Sequence, residues 1–173
     1  MPLRPIVVRV LVNSASPDFR EGLELVLPYF EHLGVPYVLH DILHTPLPAN
    51  LHDDALIVVA HSRLDARGRR LGAGGVKLLH AAVEAGTGLV TFDPALAPAV
   101  ELRQGTRSAA EIVVTQASHP ITARHAALEA IPLMSPLTLP ILSGGETLLQ
   151  AGETPLLLVT GHGHGRVVTW ASA

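Results

Sequence analysis

Two short apolar runs, separated by an amphipathic segment, stand at the centre of the chain. Ala55 to Ala60 and Gly88 to Phe92 are almost continuously apolar, as expected for strands buried on both faces. Between them, residues 75–85 place apolar side chains at helical spacing, and Gly86 follows where a helix commonly ends. The pattern predicts a strand–helix–strand unit with parallel strands and a right-handed crossover.

The amino-terminal third repeats this alternation. Residues 5–13 predict a first strand and residues 35–40 a second. Between them we predict a helix with Ser16 as its N-cap, which runs to about Leu33 and ends at Gly34. Together the two units predict a parallel sheet that carries helices on both faces.

Beyond Pro94 the predicted elements become short. We predict short helices within residues 95–105 and 121–130, with a strand at 111–115 between them. Four β-rich runs follow, separated by glycine-containing turns: Leu137–Leu142, Thr147–Gln150, Pro155–Thr160 and Arg166–Trp170. They predict an antiparallel meander at the edge of the sheet. The expected class is α/β, namely a flavodoxin-like three-layer α/β/α fold with a mostly parallel sheet and a C-terminal antiparallel β extension.

Composition narrows the function classes. The 173 residues are 48% hydrophobic and 16% charged, which suits one domain with a sizeable core. The formal net charge of -3 argues against a nucleic-acid partner, and we interpret the one basic run, Arg63 to Arg70, as a solvated loop. No apolar run approaches the roughly 20 residues that cross a bilayer, so we expect no membrane partner.

The chain contains no cysteine. Disulfides, thiolate zinc sites and a cysteine nucleophile are therefore excluded. The composition suits a reducing compartment, and we expect a cytoplasmic location. Because the chain stops directly after its last predicted strand, we also expect it to belong to a longer polypeptide.

Candidate site residues follow from the sheet, because ligands in such folds bind beyond the carboxyl ends of the strands. The ligand-binding candidates near predicted strand ends or in turns are Ser14, Ser16, His40, His61, Asp93 and His119. Two of them are also catalytic candidates. Asp93 could act as a base or accept a hydrogen bond from a sugar hydroxyl, and His61 could contact a ligand in the same crevice.

Each candidate also has a purely structural interpretation. Asp93 can cap the segment that follows it, and His61 can hydrogen-bond a neighbouring carbonyl group. Ser16 can be a plain N-cap rather than part of an anion cradle, and His119 can serve its own turn. His162 and His164 would share a face in an extended segment, but no third metal ligand is nearby. We therefore expect no metal and no cofactor.

Three motifs carry a family resemblance. They are Val83 to Val90 (VEAGTGLV), His119 to Thr122 (HPIT) and Gly163 to Val168 (GHGRVV). In order and spacing they resemble the class I glutamine amidotransferase-like superfamily, from about residue 6 to residue 172. They are most similar to its non-glutaminase branches, the trehalose-utilisation (ThuA-like) proteins and the trimerisation domain of some β-galactosidases.

The chain departs from the glutaminases of that superfamily. Those enzymes place a cysteine on a sharp strand-to-helix elbow, with a histidine and a glutamate as partners. The corresponding turn, residues 92–94, has no cysteine, and Ile121 replaces the acid that follows their His-Pro pair. The resemblance therefore implies one amidotransferase-like domain over residues 1–173 that does not hydrolyse glutamine by the family mechanism.

Three functions remain open. The first hypothesis is a non-catalytic accessory domain for ligand recognition, scaffolding or oligomerisation in a carbohydrate-active protein. Its partners would be a carbohydrate or other small molecule, other domains of the same polypeptide, or a second copy. The alternative is a small ThuA-like enzyme acting on a sugar, with Asp93 and His61 at the crevice. The third hypothesis is a histidine-rich metal-binding module.

Overall fold

The computed structural model describes residues 6–171, in which nine strands form one sheet. The strands are β1 (Val8–Val12), β2 (Tyr37–Asp41), β3 (Leu56–Val59), β4 (Gly88–Thr91), β5 (Glu101–Val114), β6 (Ala130–Ser143), β7 (Glu146–Ala151), β8 (Thr154–His162) and β9 (Gly165–Trp170). The helices are α1 (Phe19–Leu33) and α2 (Gly72–Glu84), with 3-10 turns at Leu51–Asp53 and Pro94–Leu96. Neither α-helix in this range is long and apolar enough to cross a membrane.

The sheet has a parallel half and an antiparallel half. Its strand order is β2-β1-β3-β4-β9-β8-β7-β5-β6. Pairing is parallel from β2 through β9 and antiparallel from β9 through β6. The predicted unit β3-α2-β4 is confirmed. Of the predicted four-strand meander, β7, β8 and β9 pair as expected, whereas the run 137–142 belongs to β6 and pairs with β5. The meander was predicted at the edge of the sheet but lies inside it, between β4 and β5.

The two helices cover opposite faces of the parallel half. Val10 and Val12 of β1 pack in one core cluster with Val26 of α1. Leu11 lies between them in sequence and packs in a second cluster with Leu79 of α2. Successive strand residues point to opposite faces, so the continuous apolar run of β1 supplies both clusters.

The finer prediction for the sheet was wrong. The α/β class is confirmed, but more paired positions are antiparallel than parallel, and the flavodoxin-like three-layer arrangement is not confirmed. The difference comes from the length of β5 and β6. β5 begins at Glu101, inside the predicted helix 95–105, and runs on into the predicted strand at 111–115, while β6 extends the predicted run 137–142 back to Ala130. Residues 121–129 form turns instead of a helix. Hydrogen bonding between β5 and β6 outweighs the weak local preference of these residues for helix.

β5 and β6 form a long hairpin arm. Residues 101–108 of β5 are all exposed and pair within the sheet only with β6, whereas Ile112–Val114 also pair with β7. Leu139 and Leu142 of β6 pack in a third core cluster with Leu158 of β8. The arm is therefore anchored by its apolar side chains as well as by its backbone.

The closing hairpin between β8 and β9 docks on the carboxyl end of α2. A Cβ built on Gly165 would lie 2.2 Å from the carbonyl oxygen of Val83, so only glycine fits there. Gly163 has a left-handed φ of 58°, which lets the His164 N–H donate to the carbonyl oxygen of Glu84 at 2.9 Å. Two of the motifs that carried the resemblance therefore form the two sides of one contact.

α1 approaches the carboxyl end of β3 at Gly22, which is buried. A Cβ built on Gly22 would lie 2.6 Å from both the carbonyl oxygen of Ala60 and the Cβ atom of His61. Real side chains do not come this close to neighbouring atoms. The absent side chain at position 22 therefore sets the distance between α1 and the residues that follow β3.

We expect Gly22→Ala to lower the free energy of unfolding by about 1–3 kcal/mol, the usual cost of overpacking. Gly74→Ala is the matched control, because Gly74 also lies in a helix but has open space around it. That control should be neutral or stabilising by up to about 1 kcal/mol, since alanine is the better helix former. Chemical denaturation measures both, and equal effects would contradict the packing argument.

Candidate functional site

A hydrogen-bonded network joins the carboxyl ends of β1, β3 and β4. The Asn13 N–H donates to Nε2 of His61 at 3.1 Å, and Nδ2 of Asn13 donates to the carbonyl oxygen of Leu64 at 2.8 Å. The Leu64 N–H in turn donates to Oδ2 of Asp93 at 2.9 Å. The structure thus brings His61 and Asp93 into one network, at the edge where the sequence predicted a crevice.

His61 uses both of its ring nitrogens within the protein. The side chain is buried, and Nε2 accepts from the backbone of Asn13, so the ring proton lies on Nδ1. Nδ1 donates to the carbonyl oxygen of Ser62 at 2.9 Å. Neither nitrogen is left to exchange a proton with a ligand.

Asp93 is held in the same way. Its Oδ2 accepts from Leu64, and its Oδ1 accepts from the Ala95 N–H at 3.1 Å, which caps the 3-10 turn Pro94–Leu96. Burial raises the pKa of Asp93, although the two N–H hydrogen bonds act in the opposite direction. The carboxyl is therefore a buried cap that holds two loops together.

Ser14 and Ser16 lie in the turn between β1 and α1. The Ser14 N–H donates to Oδ1 of Asp41 at 3.2 Å. Burial alone would raise the pKa of Asp41, but hydrogen bonds from Ser14 and from the Leu43 N–H contribute to a net lowering. The Ser16 hydroxyl accepts from the Asp18 N–H at 3.3 Å and so stabilises the turn. The sequence predicted Ser16 as the N-cap of α1, but the N-cap is Asp18.

The other predicted histidines are also engaged locally. Nε2 of His40 lies 3.1 Å from the carbonyl oxygen of Thr45, and the His119 ring accepts from the Ile121 N–H at 3.2 Å. The ring of His162 packs edge-on against that of His80, with centroids 6.0 Å apart. Within residues 6–171 no group of three or more His, Asp or Glu side chains is arranged to hold a metal ion.

An ion pair that sequence reasoning missed lies beside the network. Nε and Nη2 of Arg63 donate to the two carboxylate oxygens of Asp18 at 3.0 and 2.7 Å, and the Ser62 hydroxyl donates to the same carboxylate at 3.0 Å. The Arg63 hydrogen bond lowers the pKa of Asp18. Arg63 has a φ of 52°, an uncommon backbone conformation for a residue other than glycine.

The ion pair separates two cavities. One, which we call the arginine pocket, has a volume of about 400 Å³ and is lined by Asn13, Ser16, Arg63, Arg67, Arg69 and Arg70. The other, which we call the aromatic cleft, has a volume of about 470 Å³ and is lined by Asp18, Glu21, Tyr29, Phe92, Leu137 and Trp170. Asp18 contributes to the cleft and Arg63 to the pocket, so the two cavities share a wall.

The aromatic cleft lies between α1, the carboxyl ends of β3, β4 and β9, and Leu137 of β6. The parallel register of Val90 opposite Val168 places Phe92 and Trp170 on one face of the sheet, and their ring centroids are 6.5 Å apart. Both rings are half-buried, and Tyr29 of α1 lines the same cleft. Trp170 is the single tryptophan of the chain, and its position at a predicted strand end was the available signal.

Comparison with known proteins shows the fold. No protein-family model matches the chain, and no curated protein matches its sequence. A cytoplasmic protein from Salmonella typhimurium LT2 matches with a TM-score of 0.67 and 16% identity over 96% of this chain and 87% of that one. A protein described as ThuA-like from Bacteroides uniformis matches with a TM-score of 0.65 and 11% identity over 99% of this chain and 84% of that one.

A larger enzyme contains the same fold. A cold-adapted β-galactosidase from Rahnella sp. R3 matches with a TM-score of 0.62 and 10% identity, over 96% of this chain but 28% of that one. The resemblance to ThuA-like proteins and to part of a β-galactosidase is thus confirmed at the level of the fold.

The raised pKa of Asp93 predicts a pH signature. A carboxyl with a raised pKa favours the protonated folded state. Its contribution to stability is complete below the unfolded value of 3.8 and is lost as pH rises through the folded pKa. Asp93→Asn should be less stable than wild type, because the amide cannot accept from both N–H groups. That deficit should narrow as pH rises from about 3.8.

Denaturant unfolding of wild type and Asp93→Asn between acid and neutral pH measures the difference in their free energies of unfolding. The contributions of the other titrating groups cancel in this difference, because both proteins contain them. A deficit that widens with rising pH would contradict the predicted direction.

Proposed function

We propose that this chain is a non-catalytic amidotransferase-like domain that recognises a small carbohydrate ligand and belongs to a longer, carbohydrate-active polypeptide. The observation that carries the proposal is the engagement of both catalytic candidates. The oxygens of Asp93 and the ring nitrogens of His61 all have partners within the protein. A general base needs a free acceptor within reach of its substrate. His61 has no free ring nitrogen, and Asp93 is buried and lines neither the arginine pocket nor the aromatic cleft.

The aromatic cleft is the candidate recognition site. Its volume of about 470 Å³ falls within the usual range for small-molecule pockets. The half-buried rings of Phe92 and Trp170 can pack against the apolar face of a sugar ring. The carboxylates of Asp18 and Glu21 line the same cleft and can accept hydrogen bonds from sugar hydroxyls. This combination of apolar surface and acceptors supports a neutral sugar as ligand.

The comparisons support the carbohydrate setting. Solved neighbours include an exo-β-1,4-mannosidase from Opitutaceae bacterium strain TAV5. The match to this protein covers 31% of the mannosidase chain. In such enzymes the matched region is a minor part of a longer polypeptide. We take this as the context in which a binding domain of this kind operates.

We expect Trp170→Ala to weaken binding of neutral mono- and disaccharides by about tenfold, equivalent to about 1.4 kcal/mol. Trp170→Phe should retain most of the affinity, because it keeps an aromatic face and the packing beneath it. Met134→Ala is the control, since Met134 is a fully exposed apolar residue of β6. Titration calorimetry with a sugar panel measures the affinities. Binding that is unchanged in Trp170→Ala would remove the cleft from the proposal.

A ThuA-like enzyme acting on a sugar is the second candidate. The raised pKa of Asp93 favours it, because a carboxyl that holds its proton can act as a general acid. Under our proposal the wild-type protein shows no turnover of a glycoside panel, and Asp93→Asn lowers the melting temperature without changing sugar affinity. Turnover that Asp93→Asn abolishes, while the variant stays folded, would establish the enzyme instead.

An exposed apolar stripe on α1 supports a contact role as well. Leu25, Tyr29 and Leu33 are spaced four residues apart and are 56%, 70% and 70% exposed. We propose a homotypic contact through this stripe. Leu25 and Tyr29 also line the aromatic cleft, so the contact and a bound sugar would compete for this surface.

We expect Leu33→Asp to shift the protein from dimer to monomer in sedimentation or light-scattering measurements, because a buried carboxylate opposes association. Ile121→Asp is the matched control, since Ile121 is an exposed apolar residue in the loop between β5 and β6. A wild-type protein that is monomeric at all concentrations, or equal effects of both variants, would contradict the contact.

A further inference from the structure

The loop that follows β3 has a fixed backbone. The carboxylate of Asp65 accepts hydrogen bonds from the backbone N–H groups of Arg69, Arg70 and Leu71, at distances from 2.7 to 3.2 Å. Leu64 and Leu71 are buried and anchor the two ends of the loop in the core. The backbone of the basic run is therefore fixed, while residues 66–70 are exposed, in agreement with the interpretation of this run as a solvated loop.

Four arginines of this loop line the arginine pocket. Arg63 is paired with Asp18, but Arg67, Arg69 and Arg70 make no ion pair with any carboxylate of residues 6–171. The Asp65 carboxylate lines the same pocket, but its oxygens are engaged by backbone N–H groups. The pocket therefore concentrates positive charge in a protein whose formal net charge is -3.

Another part of the lining comes from the turn before α1. It consists of Asn13, Ala15, Ser16 and Pro17, which precede Asp18, the N-cap of that 15-residue helix. The Asp18 carboxylate and its partner Arg63 already lie at the helix start, so the excess positive charge of the pocket comes from the arginines of the loop. The pocket volume of about 400 Å³ suits a small molecule and not an extended polyanion.

We propose that the arginine pocket binds the phosphate group of a small phosphorylated molecule. Arginine forks match the oxygens of a phosphate in bidentate geometry. The four arginines exceed the carboxylates of Asp18 and Asp65 by two positive charges, which suits a dianion better than a monoanionic carboxylate. The pocket and the aromatic cleft lie on either side of the Asp18–Arg63 ion pair. The phosphate site itself does not depend on the proposed sugar site.

The test uses titration calorimetry with inorganic phosphate, glucose 6-phosphate, glucuronate and glucose at constant ionic strength. We expect both phosphates to bind the wild-type protein. The triple variant Arg67→Gln, Arg69→Gln, Arg70→Gln should bind them at least tenfold more weakly. Asp65 holds the backbone of this loop and not its side chains, so the variant should keep the wild-type melting temperature. Arg103→Gln removes an exposed arginine of β5 that lies outside the pocket lining, so this control should bind as wild type.

The ligands separate the sources of the phosphate. Tighter binding of glucose 6-phosphate than of inorganic phosphate supports a sugar phosphate, whereas equal affinities support recognition of the phosphate group alone. Absence of phosphate binding, an undiminished affinity in the triple variant, or an equal loss in Arg103→Gln overturns the site. Tighter binding of glucuronate than of glucose 6-phosphate overturns phosphate as the ligand class.

A further variant separates this inference from the proposed function. Trp170→Ala should leave the affinity for inorganic phosphate unchanged, because Trp170 lines the aromatic cleft and not the arginine pocket. If Trp170→Ala loses neutral-sugar binding but keeps phosphate binding, the two ligands bind in different cavities. If Trp170→Ala instead removes phosphate binding while the protein stays folded, the arginine pocket is not the phosphate site.

Discussion

The contact between α1 and the end of β3 at Gly22 is the constraint on which both cavities depend. Because position 22 has no side chain, the helix lies against the backbone of Ala60 and the Cβ atom of His61. Asp18, one helical turn earlier, then reaches Ser62 and Arg63. That ion pair forms the wall between the arginine pocket and the aromatic cleft. A larger residue at position 22 would move the helix and widen the gap that the ion pair bridges.

The buried polar groups at the carboxyl edge explain why this edge is better suited to holding loops than to catalysis. A buried polar atom without a partner costs roughly 1–3 kcal/mol, so a stable fold satisfies it. Here Asn13, His61, Leu64 and Asp93 satisfy one another across three strand ends. The same bonds that stabilise the loops occupy both ring nitrogens of His61 and hold Asp93 buried, away from both cavities.

The positions open to ligands lie on either side of this network. On one side the Asp65 carboxylate fixes a loop whose arginine side chains extend into the arginine pocket. On the other side two half-buried rings, Phe92 and Trp170, form one wall of the aromatic cleft. The fold thus combines a self-satisfied centre with two cavities of different chemistry, one cationic and one apolar with acidic residues.

Local patterns in the sequence determined the elements with strong periodicity. The strands of the parallel half, both helices and the final meander were predictable, because apolar spacing and glycine stops act within a few residues. The sequence also placed His61 and Asp93 at one edge. Only the tertiary structure decided the β5–β6 arm, the Asp18–Arg63 pair and the cleft around Trp170. These features join residues about 17 to 152 positions apart. The residues that meet across such distances are set by the packing of the whole sheet, which no local pattern encodes.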